Sequence, residues 1–522
     1  MPYGIGIFQN SLNTGRFTMD ITVKILENEY WYGLGTFMGT KLPVTAQSSC
    51  SFNQASTFSC NQEAPFMVSS LGRYIWSEYP FDMTAKDGNI CITKANDDIK
   101  LYEGFGTLKG AYLEAAAKHF PADGKIPPEN FFIKPQYNTW AELIYDQIQE
   151  KILGYAHGIV ENDLPAGILM IDDGWMRYYG SRQFNLERFP DVKGMLNELH
   201  SMGFEVMLWV CPFISPDSAE FRELSSKNML VKNANGTVAV REWWNGFSGV
   251  LDMSNPKTVE WFDDYLNYFI DLGFDGFKLD AGDVVYYRDD DITYGNVSAH
   301  DQCRLWCEVG LKYPYNEYRA SYKCGGLSLV QRQHDKAHRW DAVASLVPNA
   351  LAQGIMGYPY NCPDMIGGGS FTDFLPGAPS LKPEIFARYA QASALMPMMQ
   401  YSAAPWRVLD KQHAFICSEA GRLHAKYADK IIKLAREYSQ NNEPILRYME
   451  YEFPNQGFGD VTDQFMLGSD ILCAPVVEEN TYSRSVKLPC GSWKYVDGTV
   501  YEGGKTVEVA SPIDVLPYFE RV

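Results

Sequence analysis

A (β/α)₈ TIM barrel of the α/β class, preceded by a β-sandwich domain and followed by one or more C-terminal β domains, is predicted by three features of the sequence. From about 131 to 399, short β-like runs alternate with helical stretches, the texture of a parallel sheet with crossover helices. On either side, at about 5–123 and 444–522, short apolar and aromatic runs are broken by Gly, Asn, Asp and Pro, as antiparallel strands and turns are. A chain of 522 residues also exceeds what one hydrophobic core organises. The changes of texture set the expected domains: an N-terminal β-sandwich at 1–125, a barrel at 126–440 and a C-terminal β-sheet domain at 441–522.

Within the barrel segment, eight strands are expected near Phe132–Pro135, Gly167–Ile171, Glu205–Val210, Gly276–Leu279, Leu327–Val330, Arg339–Trp340, Gly354–Met356 and Ala394–Met398. The run TWAELIYDQIQEKILGYAHG reads as the first crossover helix, with Thr139 as N-cap and Glu142 three residues on. A helical segment follows at about 412–440. The last 80 residues or so then carry Gly-Ser, Asp-Gly and Gly-Gly turn signals in CGSWKYVDGTVYEGGKTVEV. No internal repeat or low-complexity linker interrupts the chain, so the domains are expected to pack closely.

Composition narrows the partners. A net charge of −19 disfavours nucleic acid and anionic membranes and favours a neutral ligand. Aromatic residues make up 14% of the chain, which suits sugar stacking, although core packing accounts for most rings. Eleven cysteines, scattered without a CxxC pair, read as reduced thiols rather than a disulfide framework or metal site. The first residues, MPYGIGIFQNSLNTGRF, lack the pattern of a secretory signal, and no stretch offers about 18 uninterrupted apolar residues. A cytoplasmic location is expected. Assembly into a homo-oligomer is left open.

Barrel active sites form where the strands end, so polar clusters that terminate apolar runs carry the functional signal. In ILMIDDGW, Asp172 and Asp173 end a strand and can take sugar hydroxyls, with Trp175 close by. In GFDGFKLDAGD, Lys278 and Asp280 lie two apart and face the barrel interior together; a neighbouring ammonium keeps a carboxylate ionised, as a nucleophile must be. In the third cluster, Arg332, Asp341 after a tryptophan, and Asp364 before a run of glycines are candidate ligand contacts. Retaining glycoside cleavage needs one carboxylate as nucleophile and another as acid then base, about 5–5.5 Å apart across the scissile bond. Asp280 and Asp341 fit those roles, with Asp335 as the alternative acid/base. The acid is expected to need a raised pKa.

The chain resembles glycoside hydrolase family 31 from about Ala64 to Val522, on APFMVSSLGRYIWSE, FNLERFPDVKGMLNELHSMGFEVMLWVCPFI, LDMSNPKTVEWF and FMLGSDILCAPVVEE. The resemblance implies a nucleophile after the fourth strand, at Asp280, and an acid/base aspartate after the sixth, at Asp341. It implies sugar contacts at Asp172, Trp209, Trp244, Lys278, Arg332 and Asp364, and no metal or organic cofactor. Two departures stand out. The family's α-glucosidases usually end the eighth strand with an Arg and a sugar-binding His, where this chain has PMMQYSAAPW with Gln400 and Ser402. The familiar Trp-x-Gly-Asp also becomes Arg339-Trp340-Asp341, unusually close to Arg332. FKLDAGD, GYPYNCPDMIGG and the eighth-strand stretch resemble the branch containing the myogenesis-regulating glycosidase, whose activity is that of an α-galactosidase. The reading is therefore a retaining, exo-acting α-galactosidase acting on a small oligosaccharide or glycoside. Its alternatives are α-glucosidase or α-xylosidase activity, and a non-catalytic carbohydrate-binding protein.

Overall fold

The structure is a computed structural model that describes residues 19–55, 60–375, 377–378 and 381–522; the N-terminal segment read above, residues 1–18, lies outside the described residues. Eight parallel strands form the central sheet: β1 (Gln136–Asn138), β2 (Ile168–Ile171), β3 (Glu205–Val210), β4 (Gly276–Leu279), β5 (Tyr315–Tyr318), β6 (Gln331–Arg332), β7 (Asn361–Cys362) and β8 (Gln400–Tyr401). Their order is β7-β6-β5-β4-β3-β2-β1-β8. A parallel bridge between Met365 and Gln400, with Ile366 N donating to Gln400 O at 2.7 Å, joins the two ends into a barrel.

Residues that are apolar on both sides make β2 and β3: Ile168–Ile171 and Val206–Val210 are all buried, each large side chain contributing about 1.5–3 kcal/mol by leaving water. In β4 the alternation separates two environments. Phe277 packs outward, its ring centroid 5.2 Å from that of Tyr313, while Lys278 enters the barrel and meets Asp172.

Several elements depart from the sequence reading. Residues 130–133 are a helical turn, and the first strand follows at Gln136. The fifth strand is Tyr315–Tyr318 rather than Leu327–Val330, because its central residues, Asn316 and Glu317, are buried but polar and break the apolar signature. Arg339–Trp340 is not a strand but the start of the helix Trp340–Ile355, which also contains Gly354 and Ile355; the sixth and seventh strands lie at 331–332 and 361–362. The eighth lies just beyond the expected run, at 400–401. The first crossover helix is broken: one turn at Trp140–Leu143, then Ile144 at φ 54°, then Gln149–Glu161. Thr139 makes no cap bond. Its hydroxyl instead donates to Gln147 Oε1 at 2.7 Å and accepts from Asp172 N at 2.9 Å, fixing the end of β2.

Before the barrel, two antiparallel sheets lie within residues 19–102, followed by the helix Leu108–His119, capped by Thr107. One sheet is extended by Ser321–Tyr322 from the β5–β6 connection, paired in parallel with Gln62–Glu63. This pairing brings the Cys60–Asn61 segment to the barrel mouth. After the barrel, helices Lys411–Lys426 and Ala428–Asn441 lead into a six-stranded sheet and a two-stranded ribbon around a separate core that includes Trp493, Phe519 and Met466. Among the described residues no helix is long and apolar enough to cross a membrane.

Candidate active site

A cavity of about 520 Å³ opens at the C-terminal ends of the barrel strands, in the size range of small-ligand sites. Of the residues singled out from sequence, Asp172, Asp173, Trp209, Trp244, Lys278 and Asp280 line it. Arg332 and Asp364 stand behind the wall: both are buried, and they bond to each other, Nη1 to Oδ1, at 2.9 Å.

Asp280 follows β4 directly and is held by three donors. Trp209 Nε1 reaches Oδ2 at 3.0 Å, Arg319 Nε reaches Oδ1 at 3.0 Å, and Ala281 N reaches Oδ1 at 2.8 Å. Ala281 adopts φ 57°, a left-handed turn that carries the chain off the strand end. Burial opposes the charge of Asp280, but Arg319, Lys278, Arg332 and the Trp209 bond outweigh it and hold the carboxyl well below the usual range. It is a carboxylate at every physiological pH. Arg319 is itself fixed by a bidentate pair with Asp283, both contacts 2.8 Å, and by donation to Cys60 O at 2.9 Å. Its guanidinium carbon sits 5.7 Å from the ring centroid of Trp244.

The strand register explains the layer beneath. Trp209 pairs with Lys278, and Lys278 with Glu317, across β3, β4 and β5. Lys278 Nζ lies 2.6 Å from Asp172 Oδ2, an ion pair with both side chains about 4% exposed. Asp173 pairs with no cation among the described residues. Burial and the adjacent Asp172 push its pKa from 3.8 to about 7, against donation from the Tyr179 hydroxyl. Asn245, at the tip of the hairpin that carries Trp244, also donates to Asp173 and accepts from Tyr145.

A carboxyl whose folded pKa is raised favours folding while protonated, and that contribution is lost as pH climbs from the unfolded value towards 7. Asp173→Asn is therefore expected to be more stable than the parent at pH 8, by on the order of 3–4 kcal/mol. The gap should close towards pH 4. Thermal unfolding midpoints measured at both pH values check this, and a gap independent of pH would contradict it.

Asp341 lies elsewhere. It sits in the exposed first turn of the helix Trp340–Ile355, paired with Arg339 at 2.8 Å, and does not face the cavity that holds Asp280. The Arg339 hydrogen bonds hold its carboxyl below the usual range, opposite to what a proton donor requires. Asp335 does face the cavity, three residues after β6, with Oδ1 2.7 Å from Arg332 Nη1. Arg332 is anchored in turn by Asp364, a residue at φ 102° whose Oδ2 accepts from Lys336 N at 2.8 Å. Gly368 makes this turn possible, since a Cβ there would lie 2.4 Å from Lys336 O. Trp31 and Tyr32 of the N-terminal region are fully buried in the core.

Sequence reasoning missed Arg319, Asp283, Glu317, His334, Cys60 and the rim aromatics Trp140, Tyr145, Tyr286 and Phe371. All but the buried Glu317 line the cavity. Glu317 and Arg319 are spaced two apart, as Lys278 and Asp280 are, so the argument used at β4 would have found them had the fifth strand been placed at Tyr315. His334 stays neutral, its pKa driven down to about 2 by burial and by Lys336.

Comparison with known proteins agrees with this geometry. Residues 136–433 match the glycosyl hydrolases family 31 TIM-barrel domain, and residues 442–522 the glycosyl hydrolase family 31 C-terminal domain. The myogenesis-regulating glycosidase of Mus musculus is 30% identical over 416 residues, 77% of this chain and 58% of the relative. The alpha-xylosidase XylQ of Lactiplantibacillus pentosus is 25% identical over 424 residues, 74% of this chain and 52% of the relative. The chain thus spans little more than half the length of these two relatives. Among solved structures, a Flavobacterium johnsoniae GH31 dextranase complexed with glucose shares the fold at TM-score 0.83 and 20% identity, over 98% of this chain and 67% of that one. A GH31 alpha-xylosidase from a soil metagenome, complexed with xylose, matches at TM-score 0.83 and 20% identity, over 98% of this chain and 80% of that one. The barrel match alone covers more than half of the sequence, and the chain belongs to glycosyl hydrolase family 31.

Proposed function

We propose that this chain is a retaining, exo-acting α-glycoside hydrolase in which Asp280 is the nucleophile and Asp335 the acid/base. The observation that carries the reading is that these two carboxyl groups line one cavity, one ionised and clamped at the end of β4, the other three residues beyond β6. The Asp280 carboxylate attacks the anomeric carbon while the proton of Asp335 passes to the departing oxygen, leaving a glycosyl ester on Asp280. Water then attacks the same carbon, Asp335 takes its proton, and the ester bond breaks to return the carboxylate. The resemblance set out from sequence places the acid/base after the sixth strand. With β6 at Gln331–Arg332, that aspartate is Asp335.

Asp172, Asp173 and Lys278 line the floor, where they would take hydroxyls of the terminal sugar, and Trp209 and Trp244 offer ring faces and edges. Arg332 and Asp364 act one layer back, positioning Asp335.

An α-galactoside is the preferred substrate in this reading. What supports it is the eighth strand, which lends the cavity no side chain. Gln400 donates inside the barrel to Glu317 Oε2 at 2.7 Å, and Ser402 accepts from Ala141 N at 2.7 Å. The position of the sugar-binding His usual in the family's α-glucosidases is therefore spent on structure. Hydrolysis of p-nitrophenyl α-galactoside is expected to exceed that of the α-glucoside and α-xyloside in kcat/KM by about 10² or more, the discrimination a hydrogen-bonding site achieves between epimers. Faster turnover of the glucoside or xyloside would overturn the galactoside assignment and leave the two-aspartate mechanism standing.

A further inference from the structure

One guanidinium serves three carboxyl groups. Arg332 Nη1 lies 2.7 Å from Asp335 Oδ1 and 2.9 Å from Asp364 Oδ1, and Arg332 Nε lies 3.4 Å from Glu317 Oε1. The side chains of Arg332, Glu317 and Asp364 are at most 1% exposed, whereas that of Asp335 is 42% exposed and lines the cavity. A carboxyl 2.7 Å from a guanidinium is favoured as the anion. Glycoside cleavage, however, starts with the proton on the acid. Glu317 and Asp364 offset the attraction, because negative charge on the far side of Arg332 disfavours one more anion on the near side, strongly so away from water.

Glu317 comes from β5, inside the barrel, and does not line the cavity. Its Oε2 accepts from Gln400 Nε2 of β8 at 2.7 Å, and the same amide nitrogen reaches Gln136 Oε1 of β1 at 3.1 Å. Its Oε1 makes no hydrogen bond among the described residues, so Glu317 meets Arg332 through charge alone. The other charged or titratable groups that act on it are Lys278 of β4, Asp280 beyond β4 and the thiol of Cys362 on β7. Burial pushes the Glu317 carboxyl above the usual range, against Arg332, Lys278 and the Gln400 bond. Lys278 is already paired with Asp172 at 2.6 Å, which leaves Arg332 as the cation that the Glu317 charge chiefly offsets. Around Asp335 itself stand Arg332, Asp364, Lys336, the neutral His334 and Cys60. The Lys336 ammonium is taken up by Gln333 Oε1 at 2.7 Å.

We propose that Glu317 is a positioning residue for the acid/base: its carboxylate, on the barrel side of Arg332, offsets the guanidinium charge and so lets Asp335 hold the proton that the departing oxygen receives. The inference rests on the assignment of Asp335 as acid/base and adds a residue, on a different strand, that acts through Arg332. Its sign is fixed. Removing the Glu317 charge leaves Arg332 free to favour the Asp335 anion, so the acid gives up its proton at lower pH and activity is lost earlier as pH rises.

The test is the pH profile of kcat/KM on the methyl α-glycoside of the sugar that the parent hydrolyses best, since an alkoxide leaving group requires the proton. The alkaline limb of the parent reports loss of that proton, and it is expected to vanish in Asp335→Asn. Glu317→Gln is expected to bring the limb down by about one pH unit, and Glu317→Asp, whose charge is withdrawn by one methylene, by about 0.3 unit in the same direction. Gln400→Met removes the hydrogen bond to Glu317 and leaves every charge in place, so its limb is expected to coincide with the parent's. Should Glu317→Gln not fold, Glu317→Asp against Gln400→Met carries the comparison. A limb unmoved in the folded Glu317 variants, or moved as far by Gln400→Met, would overturn the role of Glu317 and leave the two-aspartate mechanism standing. A limb that persists in Asp335→Asn would instead defeat the acid/base assignment, and this inference with it.

Discussion

Asp280→Asn is expected to keep its fold and to lose hydrolysis by ~10⁴-fold or more in kcat, the scale on which removal of a covalent nucleophile is felt. The amide has nearly the shape of the carboxylate and can still accept from Trp209, while Arg319 keeps both bonds to Asp283. The cavity should therefore persist with its reactive oxygen gone. Initial rates on the aryl glycoside, with a circular dichroism spectrum and unfolding midpoint matching the parent's, check the expectation. A folded variant within tenfold of the parent would remove Asp280 from the nucleophile's role and favour a protein that binds carbohydrate without cleaving it.

The second large effect separates two aspartates six residues apart. Asp335→Asn should lower kcat/KM by about 10²–10⁴ on substrates with a sugar leaving group, the usual worth of a general acid. The loss should be smaller on aryl glycosides, whose leaving groups need less protonation. Added azide should restore turnover of an activated glycoside, because it attacks the glycosyl ester without a general base. Asp341→Asn should stay close to the parent on the aryl glycoside, since its carboxylate is two-thirds exposed and, among the described residues, bonded only to Arg339 and the helix start. Reversal of the two phenotypes would return the acid/base to Asp341.

The barrel strands differ in how legible they are in the sequence. Strands β2, β3 and β4 are legible because their residues are apolar on both faces or nearly so, and β2 and β4 end in the polar clusters read there. That places Asp172, Asp173 and Asp280 at the barrel mouth. β5 was illegible for the reason that makes it useful: Glu317 points into the barrel to meet Arg332 and Gln400, and the strand reads as a polar turn. With the fifth strand read at Leu327–Val330, the sixth is displaced to Arg339–Trp340, and Asp341 rather than Asp335 becomes the aspartate that follows it. The short strands β6, β7 and β8, two residues each, carry too little periodicity to correct the error. The N-terminal contribution was hidden differently. Cys60 lines the cavity beside the strand Gln62–Ser69, which Ser321–Tyr322 joins from more than 250 residues later in the chain.

Thr139 makes the same point on a smaller scale. A Thr three residues before a Glu is a capping signature, yet Glu142 turns to Arg407 and Ala404 N, and the Thr139 hydroxyl supports Asp172 N. At a barrel mouth, side chains that would cap a helix are recruited to hold the strand ends.

The central claim, a glycosyl ester on Asp280, is tested most directly by trapping it. The protein is incubated with a 5-fluoro-α-galactosyl or 5-fluoro-α-glucosyl fluoride, digested at low pH and analysed by peptide mass spectrometry. One adduct per chain on the peptide containing Asp280, absent from Asp280→Asn, is the predicted result; an adduct on another carboxylate, or steady turnover of the reagents with no adduct at all, would contradict the account.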